Sequence, residues 1–158
     1  VRQLRPNAVF GVSPQASVQR NQTEYFADVK RWATEEGYVD YLCPQLYFGF
    51  EHQTQSVRFD ALAKEWSELV TAPGVTLCVG LAPYKIGKED GGSDEWVTGG
   101  NLLARQVALL RELGNVKGFA LYNYQSYFDS GDAFRLEREN LTNLLRGEPS
   151  ASQAKASE

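Results

Sequence analysis

GYVDYLCPQLYFGF, residues 37–50, decides how the rest of the chain is read. Gly37 can stop a helix, and an aromatic and β-branched run follows it. The run ends in two polar groups, Gln45 and Tyr47, before a loop begins. Helix stop, buried strand and polar tip, in that order, describe one strand of a parallel α/β sheet. In such sheets ligands gather beyond the carboxyl ends of the strands.

Working outward, three more apolar segments read as strands, so the set is 8–13, 38–48, 75–82 and 117–122. Helical patterns lie between and after them. Tyr25, Val29, Trp32 and Ala33 share one helical face. Phe59, Leu62, Ala63, Trp66, Leu69 and Val70 form a cleaner stripe. Leu103, Val107, Leu110 and Leu113 make a third, and Phe134, Leu141, Leu144 and Leu145 a fourth. Strand then helix, four times, predicts an α/β fold with parallel pairing and right-handed crossovers. The domain is expected over 1–147, with a disordered polar tail over 148–158.

The connections are unequal. Helix-to-strand links are short (EEGY, TAPG, LGNV), whereas strand-to-helix links are long: SPQASVQRNQT, GFEHQTQSV, PYKIGKEDGGSDEWVTGG and NYQSYFDSGD. Long loops after strands and tight turns before them place a site at the carboxyl ends. A complete eight-fold β/α barrel takes about 250 residues, so four units amount to about half of one. A small open doubly wound sheet also fits the length. No G-x-G-x-x-G fingerprint marks a dinucleotide site, and polar tips recur on all four strands instead of gathering at one switch point.

Composition narrows the function classes. The 158 residues are 42% hydrophobic and 23% charged, with a net charge of −4. That balance argues against a nucleic-acid or anionic-membrane partner, and no apolar run approaches the length of a membrane span. The chain starts at Val1 and contains no methionine, so its N-terminus reads as a cut. Cys43 and Cys78 read as buried free thiols, with a disulfide left open. His52 is the only histidine and there is no C-x-x-C, so neither a metal nor another cofactor is expected.

FGVSP (10–14), Asn21, DVKRW followed by GYVDYLCPQLY (28–47), VGLAPYKIG (79–87) and GFALYNY (118–124) occur in register. Together they resemble the C-terminal half of the bacterial glycosyl-hydrolase-like family ten proteins. The resemblance covers roughly residues 8 to 145. It implies a β/α barrel of which these segments are the fifth to eighth strands. It also implies an extracytoplasmic glycosidase or glycosidase-like protein, some relatives acting on peptidoglycan glycan stripped of its peptides. The family's D-D-Y motif, on the fourth strand, falls upstream of Val1 by this alignment.

Glycoside hydrolysis usually needs two carboxyl groups, about 5–5.5 Å apart for retention and 6.5–9.5 Å for inversion. Glu51, Glu89, Asp90, Asp94, Glu95, Asp129 and Asp132 all fall in or near loops, none directly at a strand end. They read as solvated loop acids, and Asp132 as the cap of the last helix. Asp40 lies at the other end of its strand. The catalytic acids are therefore expected upstream of Val1, with Glu51 and Asp94 the first to test should this segment prove active.

Sugar binding is better represented. Sugars present apolar C–H faces and hydroxyls, which suit flat aromatics and amides. Gln45 offers an acceptor and two donors, and Tyr47, Tyr84, Tyr122 and Tyr124 offer rings with a polar handle. Trp96, in the longest loop, is a candidate cover for a subsite. Lys85 reads equally as a surface lysine or a contact for a substrate carboxylate. By the resemblance, Ser13 and Asn21 lie near the cleft, although Asn21 could instead order its loop. The tyrosines could equally fill the core. Three functions remain: the C-terminal half of a glycosidase, a non-catalytic carbohydrate-binding module, and an open-sheet small-molecule binder.

A half-barrel leaves the outer edges of segments 8–13 and 117–122 unpaired and its inner face wet, an expected apolar patch. The partners expected are a glycan, and either an N-terminal half-barrel or a second copy. In isolation the chain is predicted to be catalytically silent and to self-associate or pack loosely. A stable monomer with a cooperative melt, seen by sedimentation and calorimetry, would favour the open sheet.

Overall fold

The computed structural model describes residues 3–128 and 131–148. The expected tail over 148–158, apart from Glu148, and the loop acid Asp129 lie outside the described residues. Four strands, β1 (Gly11–Val12), β2 (Tyr41–Leu42), β3 (Thr76–Leu81) and β4 (Val116–Leu121), pair in the order β1-β2-β3-β4, every pair parallel. Neighbours in sequence are neighbours in space, with no point where the strand order reverses.

Two strands are shorter than their apolar runs, for local reasons. The amide of Phe10 donates to the Asp40 carboxylate at 2.8 Å, so regular pairing of β1 begins only at Gly11. In the 38–48 run Pro44 has no N–H, which breaks the ladder just after Leu42. The backbone nevertheless stays in the sheet. Cys43 N donates to Val12 O at 2.9 Å, Gln45 N to Pro14 O at 3.0 Å, and Leu46 N to Gly80 O at 3.1 Å.

The helices follow the apolar stripes closely. They are α1 (Val18–Thr23), α2 (Val29–Thr34), α3 (Phe59–Leu69), α4 (Glu95–Thr98), α5 (Leu102–Glu112), α6 (Tyr124–Tyr127) and α7 (Asp132–Arg146). On α3, Phe59, Leu62, Ala63 and Trp66 are buried, and the Trp66 indole donates to Ala16 O at 2.7 Å. α1 forms inside a segment expected to be loop, capped by the Ser17 hydroxyl, which accepts from Arg20 N. Tyr25 is not part of a helical face. Asp28 caps α2, the helix begins at Val29, and Tyr25 is left half exposed. Leu145 is likewise exposed instead of joining the core, and Asp132 is the first residue of α7, with Gly131 in the capping position.

Strand alternation sorts side chains onto two faces. Val12, Leu42, Leu77, Val79, Phe119 and Leu121 join the hydrophobic core with the helices. The opposite face carries Gly11, Tyr41, Thr76, Cys78, Gly80, Gly118 and Ala120. The Tyr41 ring lies so close over Gly11 that a β-carbon there would overlap it. Within the paired strands this face therefore carries small residues and one tyrosine. Val12, Phe119 and Leu121 pack with the helices, whereas Val9 (73%), Phe10 (50%) and Tyr122 (57%) of AVFGVS and GFALY are exposed. Cys43 and Cys78 are free thiols. Burial, with Cys78 adding to it, pushes the Cys43 thiol up to about 11.

α5 and α7 are joined by a buried carboxylate. The first amides of a helix lack intrahelical partners, and Asn101, at the cap of α5, makes no side-chain capping bond. Glu137 of α7, 2% exposed, accepts instead from Leu102 N at 2.8 Å and Leu103 N at 3.0 Å. Asn140, one turn on, donates to Gly100 O at 2.8 Å. Burial raises the Glu137 pKa despite the opposing pull of the two amides.

Glu137→Ala leaves two buried amides without partners and is expected to cost about 2–3 kcal/mol in chemical denaturation. The folded state also holds the Glu137 proton more tightly than the unfolded chain. Stability should therefore fall as pH rises from the ordinary carboxyl value through the raised one, and Glu137→Gln should remove that part of the slope.

Candidate functional site

The chemistry gathers at the carboxyl ends of β2, β3 and β4. Beyond β2 the chain runs through Gln45 to Tyr47. Beyond β3 a single 3₁₀ turn, Pro83–Lys85, carries Tyr84, and β4 leads directly into Tyr122. These three tyrosines converge. Tyr47 meets Tyr84 edge-on at 5.8 Å between ring centroids and stacks on Tyr122 at 5.9 Å. Tyr84 meets Tyr122 edge-on at 6.1 Å. Gly80 leaves room for Tyr47, whose ring edge would lie 3.2 Å from a β-carbon placed there. Tyr47 and Tyr84 are half-buried, whereas Tyr122 is 57% exposed. The cluster therefore has an inner, supported side and an outer face open to a ligand.

Burial, with smaller contributions from Tyr84, Cys43 and Tyr122, pushes the Tyr47 phenol up to about 12. Tyr84 is raised by burial first and Asp90 second. Both phenols are therefore neutral at neutral pH, able to donate and accept.

Gln45 is half-buried beside this cluster. Its amide nitrogen donates to Ser13 O at 3.1 Å, which ties the tip of the β2 segment to that of β1 and turns the amide edge in a defined direction. Ser13 is exposed and contributes its backbone carbonyl to this contact. Asn21 lies on α1, 2% exposed, instead of in an open loop. It accepts from Gln15 N at 3.2 Å and donates to Gln15 O at 2.7 Å and Ser17 O at 2.9 Å. That is the loop-ordering arrangement, and it leaves the Asn21 amide committed to the chain.

Lys85 pairs with Asp90 at 2.7 Å, both side chains largely buried, and its ammonium lies 4.9 Å from the Phe48 ring centre. Its charge is answered within the protein, so a substrate carboxylate would have to compete with Asp90. Trp96 does not cover a subsite. It is 3% exposed and packed in the core, because α4 turns it inward. Glu51 and Asp94 are exposed. Asp94 lies just before α4, where its carbonyl accepts from Val97 N and Thr98 N. Among the described residues no three His, Cys, Asp or Glu side chains are grouped to hold a metal ion.

Glu95, expected to be a solvated loop acid, is buried, and the buried Gln106 and Glu137 were not singled out by sequence. Glu95, 5% exposed, accepts from Phe50 N at 2.6 Å and Glu51 N at 3.1 Å and pairs with Arg105 at 3.2 Å. It clasps the loop after β2 to the loop after β3. Gly49 is required there, since a β-carbon would collide with the Glu95 carboxylate. Gln106, fully buried, donates to Phe48 O at 2.8 Å and so holds the backbone next to Tyr47. Gln106 and Glu137 both sit on the apolar stripes of their helices, a legible sign that they need internal partners. Glu95 carried no such sign among its acidic neighbours.

At the opposite end of the sheet, a hollow of about 590 Å³ is lined by Glu36, Gly37, Val39, Asp40, Pro73 and Gly74. These are turn residues and the start of β2, without convergent aromatics, so the tyrosine end is the stronger site.

The strand tips of this parallel α/β domain thus gather three aromatics and an amide. The profile of the family described as Glycosyl hydrolase-like 10 matches residues 1–98, and the chain belongs to that family. Glycosyl hydrolase DigH of Escherichia coli K12 is 31% identical over 139 residues, covering 77% of this chain and 31% of that protein. DigH of the uropathogenic strain CFT073 is 32% identical over the same length. Glycosyl hydrolase YngK of Bacillus subtilis is 31% identical over 134 residues, covering 75% of this chain and 25% of YngK. The chain thus spans a third or less of the relatives it matches.

Because the folded state keeps the Tyr47 proton to about 12 while an unfolded tyrosine releases it near 10, stability should fall as pH rises through that interval. Tyr47→Phe should flatten the fall. Absorbance titration of tyrosinate should show one phenol fewer ionising last in the variant.

Proposed function

We propose that this chain is the C-terminal half of a (β/α)₈ barrel in a glycoside hydrolase acting on a bacterial cell-wall or related glycan. In this reading, it supplies sugar-binding residues, and other parts of the barrel supply the carboxyl groups. The observation that carries the proposal is the Tyr47–Tyr84–Tyr122 cluster beside Gln45, at the carboxyl ends of consecutive parallel strands. Membership of a glycosyl-hydrolase-like family supports it. So does the consecutive strand order, since barrel closure joins strands without reversal whereas a doubly wound sheet reverses at its switch point. Among the described residues the outer edges of β1 and β4 have no partner strand, which fits a barrel that other strands complete.

In the mechanism proposed, Tyr122 offers its open ring to the C–H face of a sugar. Gln45 Oε1 accepts a sugar hydroxyl while its nitrogen stays on Ser13 O, and neutral Tyr47 and Tyr84 hold the cluster and offer phenol groups. Glu95 and Gln106 act on the reaction only by holding the backbone on either side of Phe48. The protein would work outside the cytoplasm, where such glycans lie. Among the described residues no helix is long and apolar enough to cross a membrane.

Gln45→Ala in the complete protein is expected to lower kcat/KM on peptide-free cell-wall glycan about ten- to a hundred-fold, with little change in melting temperature. A large loss of stability with unchanged turnover per folded molecule would make Gln45 structural. Glycan binding without any turnover by the complete protein would favour a non-catalytic binding module.

A further inference from the structure

Beyond β4 the chain carries aromatic surface that the tyrosine cluster does not use. Tyr124 is 77% exposed and Phe128 57% exposed, on and just after α6. Their rings lie 4.6 Å apart at a 42° tilt, and Phe128 is braced on its other side by Tyr127 at 5.1 Å. Tyr127 is itself partly buried against the core, and its carbonyl accepts from Arg138 of α7 at 2.7 Å. The base of α6 is fixed as well, because the Asn123 side chain accepts from Ser126 N at 3.0 Å. Two large rings are thus packed on one another and left in water, which costs free energy that burying them would recover.

Their position gives the exposure a use. Tyr122, the open member of the tyrosine cluster, is two residues from Tyr124, so the two ring groups follow one another at the exit of β4. Exposed rings set side by side suit the apolar face of a sugar. Resting on the glycan reading above, we infer that Tyr124 and Phe128 form an outer sugar-stacking subsite, continuous with the Tyr47–Tyr84–Tyr122 cluster. The ligand is therefore a linear glycan chain that reaches beyond the sugar held at the strand tips. Tyr122 engages a sugar at the strand tips, and the Tyr124–Phe128 pair engages one further along the same chain.

The test uses the complete protein with peptide-free glycan chains of two and of six or more sugars, comparing wild type with Tyr124→Ala, Phe128→Ala and the double variant. Wild type should prefer the long chain, and the double variant should reduce the long-to-short ratio of kcat/KM about tenfold. The circular dichroism spectrum and melting temperature should stay close to wild type. An unchanged ratio would overturn the subsite. So would a fall in melting temperature with the ratio intact, since the rings would then be packing against another part of the protein. If wild type neither binds nor cleaves glycan of any length, the glycan reading itself fails, an outcome distinct from an unchanged ratio.

Discussion

A parallel sheet has two faces to cover, and in this chain the helices cover one. That constraint explains most of what is unusual about the structure. Val12, Leu42, Leu77, Val79, Phe119 and Leu121 are directed into the helical layer, and the core forms there. Within the paired strands the other face carries glycine, alanine, cysteine and threonine, with the Tyr41 ring close against Gly11. Small side chains reduce the cost of leaving such a face wet.

The strand tips are held by buried polar groups acting at a distance from the tyrosines. Glu95 gathers the amides of Phe50 and Glu51, Gln106 takes the carbonyl of Phe48, and Gln45 reaches Ser13. Each satisfies backbone groups that a loop leaves without partners, where an unmet group would be costly. The result is that long loops, normally the mobile part of an α/β domain, are fastened close to the residues with chemistry. Glu137 does the same for the helical layer by meeting the first amides of α5.

How much of this was legible in the sequence differs from element to element. The α3 stripe was fully readable, because Phe59, Leu62, Ala63 and Trp66 recur at helical spacing and all four are buried. The early end of β2 was readable in principle, since Pro44 has no N–H to give. Tyr25 was assigned to a helix face on spacing alone, whereas the Asp28 cap starts the helix later. Trp96 shows the opposite limit. An aromatic in a long glycine-rich loop looks like a ligand cover, yet one turn of helix carries it into the core.

Short motifs in register carried the family resemblance, and local order and periodicity determined the strand-helix alternation and the long loops at one end. These follow from near-neighbour spacing, which a sequence carries explicitly. Only the tertiary structure decided which acids are solvated and which are buried. Glu51, Asp94 and Glu95 are alike in sequence, but Glu95 alone meets the two amides and Arg105 across more than forty and ten residues respectively. It likewise decided that Tyr47, Tyr84 and Tyr122 share one place, since parallel pairing brings the ends of successive strands together irrespective of the loops between them.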